Sequence, residues 1–117
     1  MKKSIDEIAR IDGRYSAEMI KFVYEGLSYT IDKYRQEAGH INGEMLCEGL
    51  KDLARQRWGR LAKLVLEQGG VKSSRDIGEI VYLMIRHNWM SAQSSDSIED
   101  FEGVYEFDVV FKGEFEF

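Results

Sequence analysis

Residues 101–117 read FEGVYEFDVVFKGEFEF, and the fold class turns on this stretch. Phe101, Tyr105, Phe107, Val109, Phe111, Phe115 and Phe117 all fall on odd positions, with Gly103 and Gly113 between them. The even positions are mostly Glu or Asp, broken by Val104, Val110 and Lys112. Apolar and acidic residues alternating with period two are the signature of a half-buried strand. A strand needs a partner. Residues 88–93 are the best candidate, with 94–102 as the connection and a short helical turn capped by Asp96 or Ser97 within it. The expectation is a small β element over about 101–111, its aromatic face covered by helices of the same chain. Phe115 and Phe117 would lie beyond that core and are candidates for a dimer contact or a partner's groove.

Upstream of residue 88 the periodicity changes. Ile20, Val23, Leu27, Ile31 and Tyr34 recur at steps of three and four, one face of a helix over about 16–38. Ser16 is its candidate N-cap, and Tyr15 with Ile20 occupy the staple positions. A shorter helix over 5–11 precedes it and ends at the Asp12–Gly13 turn signal. The next helix, over 42–68, starts at Asn42 and buries Leu46, Leu50, Leu53, Ala54 and Trp58. Gly59 is a break or bend, and Gly69–Gly70 is the stop. A last helix, over 73–87, has Ser73 and Asp76 in the spacing of a capping box. Ile77, Ile80, Val81, Met84 and Ile85 form its apolar stripe, and His87–Asn88 suits its end.

The whole chain of 117 residues is one domain's length, and its 44% hydrophobic and 32% charged residues are those of a globular protein. A single cysteine excludes an internal disulfide and favours a reducing, cytoplasmic setting. The opening MKKSIDEIAR lacks the apolar run of a secretory signal, and no stretch approaches a membrane span. Charge is unevenly spread. Residues 51–75 carry a net of +5, and residues 96–117 a net of -7, within a total of -5. Either the acidic tail packs near the basic helices of its own chain, or one of the two patches faces a partner.

Catalytic chemistry is mostly missing. The sequence holds no Gly-rich phosphate loop, HExxH, paired CxxC or GxSxG. We read no catalytic, cofactor-binding or metal-ligating residue. Cys47 sits among Met45, Leu46 and Leu50 and reads as a buried structural thiol. His40, Cys47 and His87 match no metal-ligand spacing. Asp96, Glu99, Asp100 and Glu102 lack the order of a calcium loop and read as a helix-capping acidic cluster. Trp58 between Arg57 and Arg60 could stack bases, but an indole in the core with arginines reaching solvent is the plainer account. Trp89 lies at an element boundary, where exposed aromatics often mark contacts.

The runs HINGEMLCEGLKDLARQRWGRLAKLVLEQGGV (40–71), DIGEIVYLMI (76–85) and NWMSAQSSDSIEDFEGVYEFDVVF (88–111) together resemble a small uncharacterised bacterial protein family. That family is met mainly in planctomycete and verrucomicrobial lineages. The most distinctive piece is D-S-x-E-D-F-x-G-x-Y-x-F at 96–107, with GEIV at 78–81. The resemblance spans about 11–111 and leaves out the GEFEF run at 113–117. It implies a bacterial, cytoplasmic, single-domain protein and offers no activity to carry over.

These readings give a single domain, mainly α with a small C-terminal β element. The element order also fits a winged-helix outline, with 73–86 as recognition helix and 88–107 as wing. Such a helix would offer phosphates Arg75 and Arg86 beside Asp76 and Glu79, and the wing would be acidic, so nucleic acid is disfavoured. The expected function is a non-enzymatic protein-interaction module without cofactors or membrane attachment, its partner unknown and a homodimer among the options. Its candidate surface residues are Arg57, Arg60, Trp89, Phe115 and Phe117. The alternatives are a nucleic-acid-binding domain using the basic 51–75 stretch, and a small enzyme or ligand-binding protein with a site at an oligomer interface.

Overall fold

Ser4 starts the first helix. Its hydroxyl accepts the Glu7 N–H at 3.1 Å while the Glu7 carboxylate reaches back to the Ser4 N–H, a capping box that opens α1 (Ile5–Asp12). The computed structural model describes residues 2–34, 41–90 and 97–111. Ser16 accepts the Met19 N–H at 3.1 Å at the head of α2 (Ala17–Tyr34). Asn42 accepts the Met45 N–H at 2.8 Å and opens α3 (Gly43–Trp58). Gly59, at φ 54°, turns the chain out of that helix. A 3-10 turn (Gly59–Leu61) then leads into α4 (Ala62–Gln68). Ser73 accepts the Asp76 N–H at 3.4 Å and caps α5 (Ser74–Arg86). The Asp76 carboxylate does not complete a capping box with Ser73. It takes the Lys72 N–H at 2.9 Å and the Tyr15 hydroxyl at 2.6 Å, tying α5 to the head of α2. A 3-10 turn (Ile98–Phe101) and the single-turn α6 (Phe107–Val110) follow.

The molecule is compact and mainly helical. α2 and α3 form its most extensive helix pair. Two glycines set their separation. A Cβ on Gly26 would stand 2.1 Å from Leu50 Cδ2, and one on Gly49 would stand 2.0 Å from Thr30 Oγ1. Each glycine therefore receives a side chain from the facing helix, and the ridges interlock. The buried Thr30 hydroxyl donates to the Gly26 carbonyl at 2.7 Å, so close packing leaves no unmet donor there. α5 packs against α2, α3 and the 3-10 turn of the tail. Ile8, Ile20, Val23, Ile80 and Met84 meet at the centre, fully shielded from solvent.

The strand expected over 101–111 does not form; no strand occurs among the described residues. Of its expected partner, residues 88–90 make a turn and 91–93 lie outside the described residues. The aromatic face is nonetheless covered. Phe101, Phe107 and Phe111 are buried, and Tyr105 is half-buried with its hydroxyl donating to the Cys47 carbonyl at 2.8 Å. Phe107 and Phe111 are four residues apart, so one helical turn places both rings on one face, edge to face at 5.4 Å. Period two and period four coincide at these positions. They part at Val109, which a strand would bury and which is 68% exposed.

The winged-helix outline fails for the same reason, and for a second one. Between Ser74 and Met84, α5 buries Ser74, Ile77, Gly78, Ile80, Val81, Leu83 and Met84. Arg75 bonds to Glu79 and Glu102, so little of the helix is left to enter a groove. Among the described residues no helix is long and apolar enough to cross a membrane.

Candidate interaction surface

α5 ends in a way that aims Trp89. Asn88 takes a left-handed conformation, φ 66°, which a short polar side chain tolerates. The Asn88 N–H then bonds to the Ile85 carbonyl at 3.1 Å and the Trp89 N–H to the Met84 carbonyl at 2.8 Å. This pair of bonds is a Schellman motif, and it turns the chain back across the helix end. Trp89 lands beside α2, its ring edge-on to Tyr24 at 5.6 Å. Its Nε1–H donates to the Lys3 carbonyl at 2.7 Å, and the Lys2 ammonium sits 4.0 Å from the ring centroid. The indole thus latches the segment before α1 and is half-buried.

Beyond the latch lies an open groove of about 690 Å³. Tyr24, Leu27, Ser28 and Ile31 of α2 form one wall, and Asn88, Trp89 and Met90 the other. Tyr24 is 40% exposed and Ile31 47% exposed. The α2 stripe runs from the fully buried Ile20 to the exposed Ile31, and the change falls where the chain turns away at the end of α5. Sequence periodicity gives Ile31 the same weight as Ile20, so this wall is not visible in the pattern alone.

The other candidates do not join this groove. Arg57 pairs with Glu25 at 3.4 Å and lies 5.5 Å from the Phe22 ring centroid. Phe22 and Tyr24 are two residues apart on α2, so Arg57 and Trp89 occupy different flanks of that helix. Arg60 is exposed on the 3-10 turn after α3. Trp58 packs on Phe22 with ring centroids 4.6 Å apart, in accord with a core role. Phe115 and Phe117 lie outside the described residues.

The basic stretch is extensively paired within the chain. Lys51 meets Glu48 at 2.7 Å, Lys63 meets Glu67 at 3.9 Å, and Arg75 bridges Glu79 and Glu102. The Glu102 bridge joins the acidic tail to the basic helices. Of the acidic cluster, Asp100 accepts the Ser97 N–H at 3.2 Å in a capping box. Among the described residues no group of three or more His, Cys, Asp or Glu side chains could hold a metal.

Cys47 is fully buried, and burial, with Glu48 and Glu44 nearby, pushes its thiol up to about 12. A thiol held neutral this far above physiological pH is a poor nucleophile. A cavity of about 10 Å³, walled by Phe22, Leu66, Tyr105 and Phe111 among others, has room for at most one water and none for a substrate.

Sequence reading missed the seat of the tail. Phe101 lodges between Gly43 and Gly78; a Cβ at Gly78 would stand 2.8 Å from its ring. The buried Ser74 hydroxyl donates to the Phe101 carbonyl at 2.6 Å and accepts the Val104 N–H at 3.2 Å. A glycine inside a helix is the signal that could have located this close approach. No family model matches the chain, and no curated protein and no solved structure matches it.

Proposed function

We propose that the chain is a non-enzymatic protein-interaction module that engages its partner through the groove beside Trp89. The observation that carries the reading is the open wall of Tyr24, Leu27 and Ile31 facing Trp89 and Met90. Exposed aromatic and aliphatic side chains around a concavity suit the apolar anchor of a protein partner. Buried Cys47 is held neutral and is a poor nucleophile, and the inner cavity beside Tyr105 is too small for a ligand. The ion pairs along residues 51–75 weigh against the nucleic-acid reading, because phosphates would have to displace Glu25, Glu48, Glu67, Glu79 and Glu102.

Ile31→Glu places a charge on the groove without touching the Trp89 latch. Quantitative capture from native host lysate should lose a specific partner with this variant and keep it with Val109→Glu on the tail. Equal capture by both variants would remove the groove from consideration. Tight, salt-sensitive binding to duplex DNA, abolished by Arg57→Glu with Arg60→Glu, would install the nucleic-acid reading instead.

A further inference from the structure

The Trp89 groove is apolar along its length and basic at one end. Tyr24, Leu27 and Ile31 are spaced three and four apart, so they form one stripe of α2. Lysines gather at the Tyr24 end of that stripe. Lys2 lies over the Trp89 ring at 4.0 Å, and Lys3, whose carbonyl takes the indole N–H, follows it. Lys21 precedes Tyr24 by three residues, on the same exposed side of α2. Lys2 and Lys3 are exposed, and among the described residues neither ammonium meets a carboxylate. The carboxylates nearby are engaged elsewhere. Asp6 faces Lys21 at 3.8 Å, Glu7 accepts the Ser4 N–H, and Glu25 pairs with Arg57 on the other flank of α2. Asp32, next to Ile31 at the far end, has an interaction of its own.

The groove is also narrow in extent. Seven residues line it, whereas a stable interface between folded proteins uses about 20–30 residues a side. It suits a short segment better than the folded face of a second copy. We infer, on the reading that this groove is the docking surface, that its occupant is a short acidic amphipathic segment of another protein. Apolar side chains of that segment lie along Tyr24, Leu27 and Ile31, and its carboxylates lie at the Trp89 end, over Lys2 and Lys3. The apolar contacts supply most of the affinity. The lysines set which way round the segment lies and reject basic segments of the same apolar pattern. Because both ammonium groups are exposed, their part of the interaction is screened by salt.

A random peptide library displayed on phage, panned at low salt on the full chain, supplies the probes. Peptides captured by the wild type and not by Ile31→Glu should carry Asp or Glu beside Leu, Ile or Phe, in excess over Lys and Arg. Lys3→Glu keeps the Lys3 carbonyl and the Lys2 ring contact, so the Trp89 latch holds. It should weaken the best such peptide about fivefold in fluorescence anisotropy. Lys2→Glu with Lys3→Glu should weaken it further, and raised salt should erase the difference between variants and wild type. Ile31-dependent peptides without an acidic excess, or affinities unmoved by either lysine variant, would overturn this inference and leave the groove reading standing. A library that yields no Ile31-dependent peptide would overturn both. A dimer of the chain alone in sedimentation, dissolved by Ile31→Glu, would give the groove to a second copy and overturn the acidic partner.

Discussion

The two ends of α5 each receive an aromatic side chain, and they treat it differently. Near the N-terminal end Phe101 is enclosed. Gly43 and Gly78 vacate its space, and Ser74 bonds both to its carbonyl and to the Val104 N–H. Past the C-terminal end the Trp89 N–H bonds back to the Met84 carbonyl, its ring donates to the Lys3 carbonyl and meets Tyr24 and Lys2, and the groove next to it stays open. A ring becomes core when the helices around it leave room and the backbone that carries it finds partners. Where only one wall is supplied, the ring becomes a boundary. The first arrangement serves stability, and the second leaves a surface for contact.

The largest effect should come from ending the chain after Gly103. That removes Tyr105, Phe107 and Phe111, and the loss of a single buried Phe costs about 3–5 kcal/mol. Native domains have about 5–15 kcal/mol in hand. The shortened chain should be unfolded at 25 °C by circular dichroism. If it melts where the full chain melts, the tail is no part of the core and the contrast between the two ends collapses. Gly78→Val tests the same seat with one residue. The new side chain would collide with Phe101, and overpacking of this kind costs about 1–3 kcal/mol. Denaturant titration should show a lower midpoint, and an unchanged midpoint would mean that Phe101 can sit elsewhere.

Base should weaken the fold through its buried acidic groups, two of which, Cys47 and Tyr105, lie at the tail. The Cys47 thiol is raised from 9.0 to about 12, first by burial. Tyr105, which donates to the Cys47 carbonyl, is also raised, again first by burial, and so is Tyr15. A group whose folded value lies above its unfolded value contributes stability in full below the unfolded value, and loses it as pH climbs toward the folded one. Stability should therefore hold to about pH 9 and decline from there toward 12. Cys47→Ala should cost on the order of 1 kcal/mol at neutral pH and should flatten the first part of that decline. Rapid thiol labelling of the native protein at neutral pH would contradict the burial on which the argument rests.

Helices were legible because their evidence is local. Ser16, Asn42 and Ser73 announce the starts, and Gly59 the bend, from residue chemistry that acts within one turn. The tail was legible only in part. Its pattern told which rings would be buried, yet the shape that buries them depends on Gly43, Ser74 and Gly78, some 23–58 residues upstream of Phe101. The groove was less legible still. Trp89 stood out as a boundary aromatic, but its facing wall at Tyr24 and Ile31 exists because α5 stops where it does. Arg57 and Arg60 drew attention as a cluster of charge, and in the fold they lie on another flank from Trp89.

At the open end, Trp89→Phe should keep the ring and lose the bond to the Lys3 carbonyl, at a cost of about 0.5–1.5 kcal/mol. Amide exchange at residues 2–4 should quicken while the tail keeps its protection. Loss of protection in both places would mean that the two ends of α5 are one cooperative unit and not two.

The smallest expected effect is the sharpest test of how the tail is built. Val109 stands on the odd positions with Phe107 and Phe111, so a strand would bury all three on one face. Burying a valine in that way is worth about 1.5–3 kcal/mol, most of it forfeited on truncation to alanine. In the single turn of α6 the side chains at 107 and 111 share a face and the one at 109 points away, which leaves Val109 68% exposed. Alanine is also the better helix former. Val109→Ala should therefore change stability by less than about 0.5 kcal/mol, while Phe107→Ala in the same turn costs about 3–5 kcal/mol. A loss at 109 comparable with that at 107 would restore the strand. A flat response at 109 beside a steep one at 107 is the response of a helical turn, in which alternate residues cannot share a face.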